Sequence, residues 1–270
     1  MLPPTIRNQL FGRLRQALRF FVPVECLTCG RWLTNDPVPF FCRPCWELIV
    51  PMKEPSCACC GQPFVSPAAT SFTPDHLCQH CLKRRPAFRR AWTCYPYRPP
   101  LQEAICAFKY GGKVGLAKPL ARLMIEALPR TVESDLIMPV PLHPARLRAR
   151  EFNQSLLLAD RLGHYVEKPV SASDLVRVLA TDPQTTLSRP ERLRNLRHAF
   201  SVPEPERVAG RRILLVDDVF TTGTTLNECA KALLSAGAES VDALTLARTV
   251  DASLVPDRLF AAQASRSCLS

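Results

Sequence analysis

The chain has 270 residues, 47% of them hydrophobic and 22% charged, which suits a folded protein with one α/β core and a smaller module. No stretch approaches the roughly 18–20 apolar residues that a membrane-spanning helix needs, and the start of the chain lacks the apolar block and cleavage site of a secretory signal. The net charge of +11 favours a polyanionic partner such as a diphosphate, a nucleotide or a nucleic acid, with solubility as the plain alternative.

Residues 1–23 predict a basic amphipathic helix. Apolar side chains recur there at helical spacing, among them Leu10, Leu14 and Leu18, and four arginines are spread through the segment. We expect the apolar face to pack on the rest of the protein; the alternative is docking to a partner or to the inner face of the membrane. Since no secretory signal is visible, the expected location is cytoplasmic, with that peripheral membrane contact as the variant.

Nine of the thirteen cysteines lie between Cys26 and Cys81, and eight of them form four Cys-x-x-Cys pairs. CLTCG and CACCG repeat each other, as do CRPC and CQHC, and gaps of 12 and 17 residues suit zinc ribbons that each bind one tetrahedral ion. In a reducing compartment such clusters favour metal over disulfides. We therefore predict a double zinc ribbon over residues 24–82 with two structural zinc ions, whose ligands are Cys26, Cys29, Cys42, Cys45, Cys57, Cys60, Cys78 and Cys81.

The ligands of the second zinc are less certain from spacing alone. Cys59 lies inside the third pair, and His76 and His80 flank the fourth, so a mixed ligand set is an alternative. The internal repeat favours Cys57 over Cys59. A glycine follows the first and third pairs, where the turn of a zinc knuckle calls for a positive φ.

Beyond the cysteines the composition changes twice. The stretch 83–99 is rich in Arg and Pro and predicts a linker, whereas residues 100–250 alternate helical and strand patterns. That alternation predicts a parallel sheet with right-handed crossovers and a ligand site at the carboxyl ends of its strands. We expect a C-terminal tail over 251–270, helices at 115–128, 153–162 and 224–236, and strands at 135–141, 175–179, 212–216 and 241–246.

The run VDDVFTTGTT at residues 216–225 follows the apolar strand RILLV and leads into a helix. A helix N-terminus offers unpaired N–H groups to a phosphate, threonine hydroxyls add donors, and Gly223 lets the backbone approach the anion. Asp217 and Asp218 can accept hydrogen bonds from two ribose hydroxyls, and we expect both to be exposed at the strand end. This run predicts a ribose-5-phosphate site, and a capped, solvated turn is the alternative.

The run resembles the phosphoribosyl-diphosphate motif of type I phosphoribosyltransferases, and the chain from Cys26 to Arg248 resembles the ComF/GntX (competence protein F) family. Besides the cysteine pairs, the resemblance rests on KYGG at 109–112, PVPLH at 139–143, FNQ at 152–154, LAR at 246–248 and the set Gln184, Leu187, Arg192 and Asn195. One position departs from the family pattern, because Glu151 stands where the family usually has glycine.

The resemblance implies a type I phosphoribosyltransferase-like fold, with Asp217 and Asp218 as ribose-hydroxyl ligands and residues 181–197 as a mobile lid. It makes the 5-phosphate loop the stretch of Thr221, Thr222, Gly223, Thr224 and Thr225. A transferase of this type displaces diphosphate from the anomeric carbon, and Mg²⁺ and basic side chains stabilise the leaving group. The basic residues nominated for that role are Arg146, Arg150, Arg192 and Lys109.

The resemblance also implies a function. It indicates a protein that binds phosphoribosyl diphosphate or ribose 5-phosphate with Mg²⁺ and is associated with uptake of DNA in natural competence, alongside DNA-uptake machinery proteins. Phosphoribosyl transfer stays open, because the sequence identifies no pocket for an acceptor base. The alternative is a non-catalytic module that uses the same fold to sense a nucleotide or to hold single-stranded DNA and a partner protein.

Overall fold

A computed structural model describes residues 24–52, 55–64, 75–128, 132–178 and 199–250. Three sequence predictions lie outside these ranges: the basic helix at 1–23, the lid at 181–197 and the tail at 251–270. Among the described residues, no helix combines the length and the apolar character needed to cross a membrane.

The described chain alternates strands and helices after two short helices in the cysteine-rich part. In chain order the elements are α1 (Arg43–Glu47), α2 (Gln79–Lys83), β1 (Ala91–Pro96), α3 (Leu101–Tyr110), α4 (Ala117–Glu126), β2 (Leu136–Pro139), α5 (Pro144–Arg150), α6 (Gln154–Val166), β3 (Val176–Arg177), β4 (Phe200–Ser201), β5 (Arg212–Phe220), α7 (Thr224–Ser235) and β6 (Ser240–Arg248).

Four strands form the central sheet in the order β1–β6–β5–β2, and every neighbouring pair is parallel. The parallel sheet predicted from the alternating pattern is therefore confirmed. The long strands β5 and β6 lie in the middle of the sheet, where both faces are covered, which explains their nearly continuous apolar sequences. Their register places Asp217 beside Thr245 and Phe220 beside Arg248.

Two sequence predictions are wrong: the linker at 83–99 contains a strand, and the described residues of the strand at 175–179 do not join the main sheet. Residues 91–96, inside the predicted linker, form the edge strand β1, whose partner is β6. Of the strand expected at 175–179, the described residues 175–178 contain only Val176–Arg177 as a strand, which pairs antiparallel with β4 in a separate two-stranded sheet. The outer edge of β2 is instead covered by the chain around Val170, which forms a β-bridge with Ile137. Val176 and Arg177 therefore find no free edge on this side of the main sheet to pair with.

Each face of the sheet has its own core. Helices α3, α4 and α6 cover one face with side chains such as Phe108, Leu120 and Leu158. Helix α7 and the small β3–β4 sheet cover the other, through residues such as Leu226 and Phe200.

The two cysteine-rich halves pack on opposite faces of the sheet. Cys26, Cys42 and Cys45 belong to the core that contains α3, whereas Cys57 and Cys60 belong to the core that contains α7. The edge strand β1 therefore runs between the two halves of the predicted zinc module. The module is joined to the sheet on both sides, which also explains why residues 83–99 are not a free linker.

Candidate functional site

The structure brings the eight predicted cysteine ligands into two tetrads. In each tetrad all four sulfur atoms lie within 4.8 Å of one another, and the tetrads are Cys26, Cys29, Cys42 and Cys45, and Cys57, Cys60, Cys78 and Cys81. The Sγ–Sγ distances of Cys29–Cys42 and Cys60–Cys78 are both 3.7 Å. A zinc ion with bonds of about 2.3 Å to four sulfurs sets them about 3.8 Å apart, so both tetrads fit structural zinc with no open coordination position.

The backbone of both tetrads has the turn that a zinc knuckle needs. Gly30 and Gly61 have φ angles of +74° and +69°. In each knuckle the glycine N–H donates to the carbonyl of the first cysteine at 2.9 Å. A side chain at Gly61 would also meet the carbonyl oxygen of Ala91 at 2.8 Å, so this glycine allows the second ribbon to lie directly against β1.

The alternative ligands lie beside the second tetrad rather than in it. Cys59 is fully buried, and its carbonyl accepts a hydrogen bond of 2.7 Å from the N–H of Ala91. The ring of His76 packs edge-on against Phe64, with 5.2 Å between the ring centroids. Within the described residues, the geometry favours the four-cysteine set with Cys57 over a mixed set.

The predicted phosphate loop connects the end of β5 to the start of α7. Thr221 and Thr222 are exposed, and the hydroxyls of Thr222 and Thr224 lie 2.8 Å apart. Gly223 is the N-cap of α7, with a φ of +74°. A Cβ at this position would lie 2.4 Å from the Phe220 ring, so both the turn and the packing require glycine.

Asp217 and Asp218 have different surroundings. Asp217 is partly buried, and one oxygen accepts hydrogen bonds of 2.9 Å from the Ser155 hydroxyl and from the N–H of Asp218. Burial, helped by the neighbouring charge of Asp218, raises the pKa of Asp217 to about 7. The expectation that both carboxylates are exposed is wrong for Asp218, which is only 6% exposed.

Asp218 is buried because Lys109 covers it. The Lys109 ammonium lies 2.8 Å from Oδ1 of Asp218, and Lys109 lies in the last turn of α3, the helix that follows β1. Burial by itself lowers the pKa of Lys109, but the charge of Asp218 and the hydrogen bond to it outweigh burial and raise that pKa. The structure thus places Asp218, which was predicted to bind the ribose hydroxyls, in an ion pair with Lys109, which was predicted to bind the diphosphate.

The other basic residues nominated from sequence lie on or beyond α5, which follows β2. The ring of His143 caps this helix by accepting from the N–H of Ala145 at 3.2 Å. The guanidinium of Arg150 lies 4.6 Å from the centre of the Tyr110 ring, and burial and the charge of Arg150 lower the pKa of Arg146. Lys109, Arg146 and Arg150 therefore gather near the carboxyl ends of the strands; Arg192 lies outside the described residues.

The structure also shows a groove beside the phosphate loop that the sequence did not predict. This groove, with a volume of about 770 Å³, lies between the second cysteine tetrad and the phosphate loop. Both sides contribute to its lining, with Arg84 and Arg85 after the last cysteine pair facing Thr222 and Asn227. A basic run directly after a zinc knuckle was the available signal, but the linker interpretation placed it away from the site.

The parallel sheet, the acidic pair and the loop at the start of α7 define a phosphoribosyltransferase-type domain joined to a double zinc ribbon. Two domain families match the chain accordingly: the phosphoribosyl transferase domain over residues 153–260 and the double zinc ribbon domain over residues 17–82.

Similarity to whole proteins places the chain more narrowly. It is 33% identical to the DNA utilization protein YhgH of Salmonella typhimurium, covering 81% of this chain and 96% of that protein. It is 36% identical to YhgH of Escherichia coli K12, over 72% and 84% of the two chains, and 35% identical to Competence protein F of Haemophilus influenzae, over 77% and 90%. The chain belongs to this family of competence protein F and YhgH.

Proposed function

We propose that the chain binds a phosphoribosyl ligand, either phosphoribosyl diphosphate or ribose 5-phosphate, at the carboxyl ends of β5 and β2. The observation that carries the proposal is the continuity of Asp217 and Asp218 with the phosphate loop. Two carboxylates lie near the end of the buried strand β5, and the loop that follows the strand turns at Gly223 into a helix N-terminus.

Each part of the ligand has a complementary group. The threonine hydroxyls and the first N–H groups of α7 would bind the phosphate, and the carboxylates would accept from the ribose hydroxyls. Arg146 and Arg150, with Arg192, would bind the diphosphate. Mg²⁺ would neutralise part of the diphosphate charge, and Asp217 and Asp218 supply the oxygen donors that this ion prefers.

Ligand binding has to compete with an existing contact. Asp218 can accept from a ribose hydroxyl only if Lys109 moves or shares its carboxylate, because the ion pair now occupies that oxygen. A released Lys109 would be free to turn toward the diphosphate. This exchange gives the site two arrangements, one with the ion pair closed and one with ligand bound.

Whether the bound group is transferred is a separate question from binding. The test is to incubate the protein with phosphoribosyl diphosphate, Mg²⁺ and a panel of nucleobases and to measure released diphosphate. Base-dependent release supports a transferase, whereas binding without release supports a sensor of the ligand.

The family's members are named for DNA utilization and competence, and we propose a role in handling DNA for this chain as well. The groove favours single-stranded nucleic acid as a second ligand, since Arg84 and Arg85 extend the loop's anion-binding surface. A titration against salt tests this: each phosphate contacted steepens the plot of log affinity against log salt by about 0.7. Absence of binding at low salt, or binding that ignores salt, contradicts it.

A further inference from the structure

Arg248, the last residue of β6, is buried against the second cysteine tetrad. Only 6% of it is exposed, and a buried guanidinium needs partners for its N–H groups. Nη1 donates to the carbonyl of Cys60 at 2.7 Å and Nε donates to the Gln62 side chain at 2.9 Å. Nη2 lies 3.9 Å from the sulfur of Cys60. The hydrogen bonds of Arg248 are therefore directed into the knuckle that holds one side of the second tetrad.

The flat face of the same guanidinium lies on Phe220, at 4.3 Å from the ring centre. Phe220 is the last residue of β5, immediately before the phosphate loop, and is paired in register with Arg248. Its ring fills the space in which a Gly223 side chain would stand. The ring thus supports the loop from within the protein, and Arg248 holds the ring.

A backbone contact runs parallel to this stack. The N–H of Thr249, next to Arg248, donates to the carbonyl of Phe220 at 3.0 Å. Any shift of Arg248 is therefore passed to both the side chain and the backbone at the start of the loop. The path from a metal-ligand sulfur to the phosphate loop passes through two side chains, Arg248 and Phe220.

The charges make this contact depend on the metal. Four thiolates around one zinc ion carry two net negative charges, which offset the buried cation of Arg248. Without the metal the knuckle is no longer held in one geometry, and Arg248 loses its fixed acceptors at Cys60 and Gln62.

We propose that Arg248 is a positioning residue that couples zinc in the second tetrad to ligand binding at the phosphate loop. Zinc at Cys57, Cys60, Cys78 and Cys81 holds the loop ready for a phosphate, and a bound phosphate in turn tightens the binding of that zinc, which we expect to slow its release. Reciprocity of this kind is required of any two coupled binding equilibria. The identity of the ligand rests on the proposed function, but the link between tetrad and loop does not.

The first tetrad provides an internal control. It packs on the opposite face of the sheet, and its side-chain links to the phosphoribosyltransferase-type domain include the hydrogen bond from Thr28 to Glu103 on α3 and the Lys113 ammonium over the Phe40 ring. The hydrogen bonds of Arg248 among the described residues go to Cys60 and Gln62 of the second ribbon and not to the cysteines of the first tetrad. Ligand binding should therefore protect one of the two zinc ions and leave the other unchanged.

The ligand-free test compares Arg248→Gln, Arg248→Lys and Phe220→Leu with the parent protein. Hydrogen exchange of residues 221–225 and the rate of zinc capture by a chromophoric chelator are measured for each. Loss of a hydrogen bond to a charged group corresponds to a change of about tenfold or more in an equilibrium constant. In Arg248→Gln we therefore expect hydrogen exchange of the loop and release of zinc from the second tetrad to become faster by that order. Arg248→Lys should restore the parent rates only in part, because lysine keeps the charge but lacks the planar fork of arginine.

Phe220→Leu keeps the knuckle contacts and removes the stack, so it should loosen the loop with little change in zinc release. The matched control is Arg89→Gln, which removes an arginine paired with a buried carboxylate, Asp242, at the other end of β6. Arg89→Gln should leave loop exchange and zinc release as in the parent. Unchanged loop exchange in a folded Arg248→Gln protein overturns the coupling.

The ligand test repeats zinc capture with saturating phosphoribosyl diphosphate and Mg²⁺. Release of one zinc should slow in the parent and not in Arg248→Gln. If calorimetry shows binding to the parent while both zinc ions leave at unchanged rates, the coupling is wrong and the proposed function stands. If no ligand binds, the proposed function is wrong, and the ligand-free comparison alone decides the coupling.

Discussion

The ammonium of Lys109 lies 2.8 Å from Oδ1 of Asp218, and their side chains are only 18% and 9% exposed. Removing one member of such a pair leaves an uncompensated charge, which typically costs about 3–5 kcal/mol. We expect Asp218→Asn and Lys109→Met each to lower the free energy of unfolding by that order. The double variant should lose much less than the sum of the two. Urea denaturation of the four proteins measures the coupling, and additive losses would show that the pair is not an energetic unit.

The raised pKa of Asp217 predicts a pH dependence of stability. The unfolded carboxyl titrates near 3.9 and the folded one at about 7, so between these values the folded state holds a proton that the unfolded state has released. Stability contributed by Asp217 is therefore present at low pH and lost as pH rises through about 7. Asp217→Asn, which keeps an oxygen for Ser155, should flatten this part of the profile.

Urea midpoints between pH 6 and 8.5, taken as the difference between parent and Asp217→Asn, measure the last part of that loss while zinc stays bound: the difference should change up to about pH 7 and stay level above it. A difference that does not change with pH would contradict the assignment. Because ribose hydroxyls and Mg²⁺ both favour the ionised carboxylate, ligand affinity of the parent should rise over the same pH range.

Glu151, the residue that departs from the family's glycine, has a φ of +66°. This left-handed conformation costs an L-residue about 1–2 kcal/mol and costs glycine little, although glycine loses more entropy on folding. We expect Glu151→Gly to raise the free energy of unfolding by about 0.5–1 kcal/mol.

A matched control exists in Glu167, which has a φ of +55° at the end of α6. Glu167→Gly should stabilise the protein by a similar amount. Of the two, only Glu151→Gly changes the backbone next to Arg150, and only it should alter affinity for diphosphate-containing ligands. Destabilisation by Glu151→Gly, measured by urea denaturation, would show that its side chain is required there.

Cys57 and Cys59, two residues apart, allow metal binding to be tested separately from burial. Both are buried, but only Cys57 belongs to the second tetrad. Metal analysis of protein purified without added zinc should give two zinc ions per chain for the parent and for Cys59→Ser, and one for Cys57→Ser. Two zinc ions in Cys57→Ser, or fewer than two in the parent, would contradict the proposed ligand set.

The sequence predicted those parts of the molecule that depend on local pattern. The cysteine repeat predicted both tetrads, and the apolar run before Asp217 predicted the strand and the turn into α7. The failures involve pairing between distant segments. Strand β1 has an unremarkable sequence and is a strand because β6 offers it a partner. The burial of Asp218 likewise depends on Lys109, which lies 109 residues earlier in the chain.

Arg248 illustrates the same limit. In the sequence it is a basic residue at the end of an apolar strand, and only the folded chain places it between a zinc knuckle and Phe220. Domain architecture was predictable because each domain carries its own motif. Contacts between the domains were not, because they depend on how the two halves of the zinc module pack on the sheet.

Calorimetric titration of the full chain with phosphoribosyl diphosphate and Mg²⁺ tests the central claim most directly. The parent should bind one ligand saturably, and Thr222→Val should weaken binding about tenfold through loss of one phosphate donor. Replacing both Asp217 and Asp218 by Asn should weaken it by about a hundredfold or more. Thr93→Val, the same change on β1 away from the loop, should bind as the parent does. A folded parent with both zinc ions that takes up no ligand, or loop and aspartate variants that bind as tightly as the parent, would contradict the account.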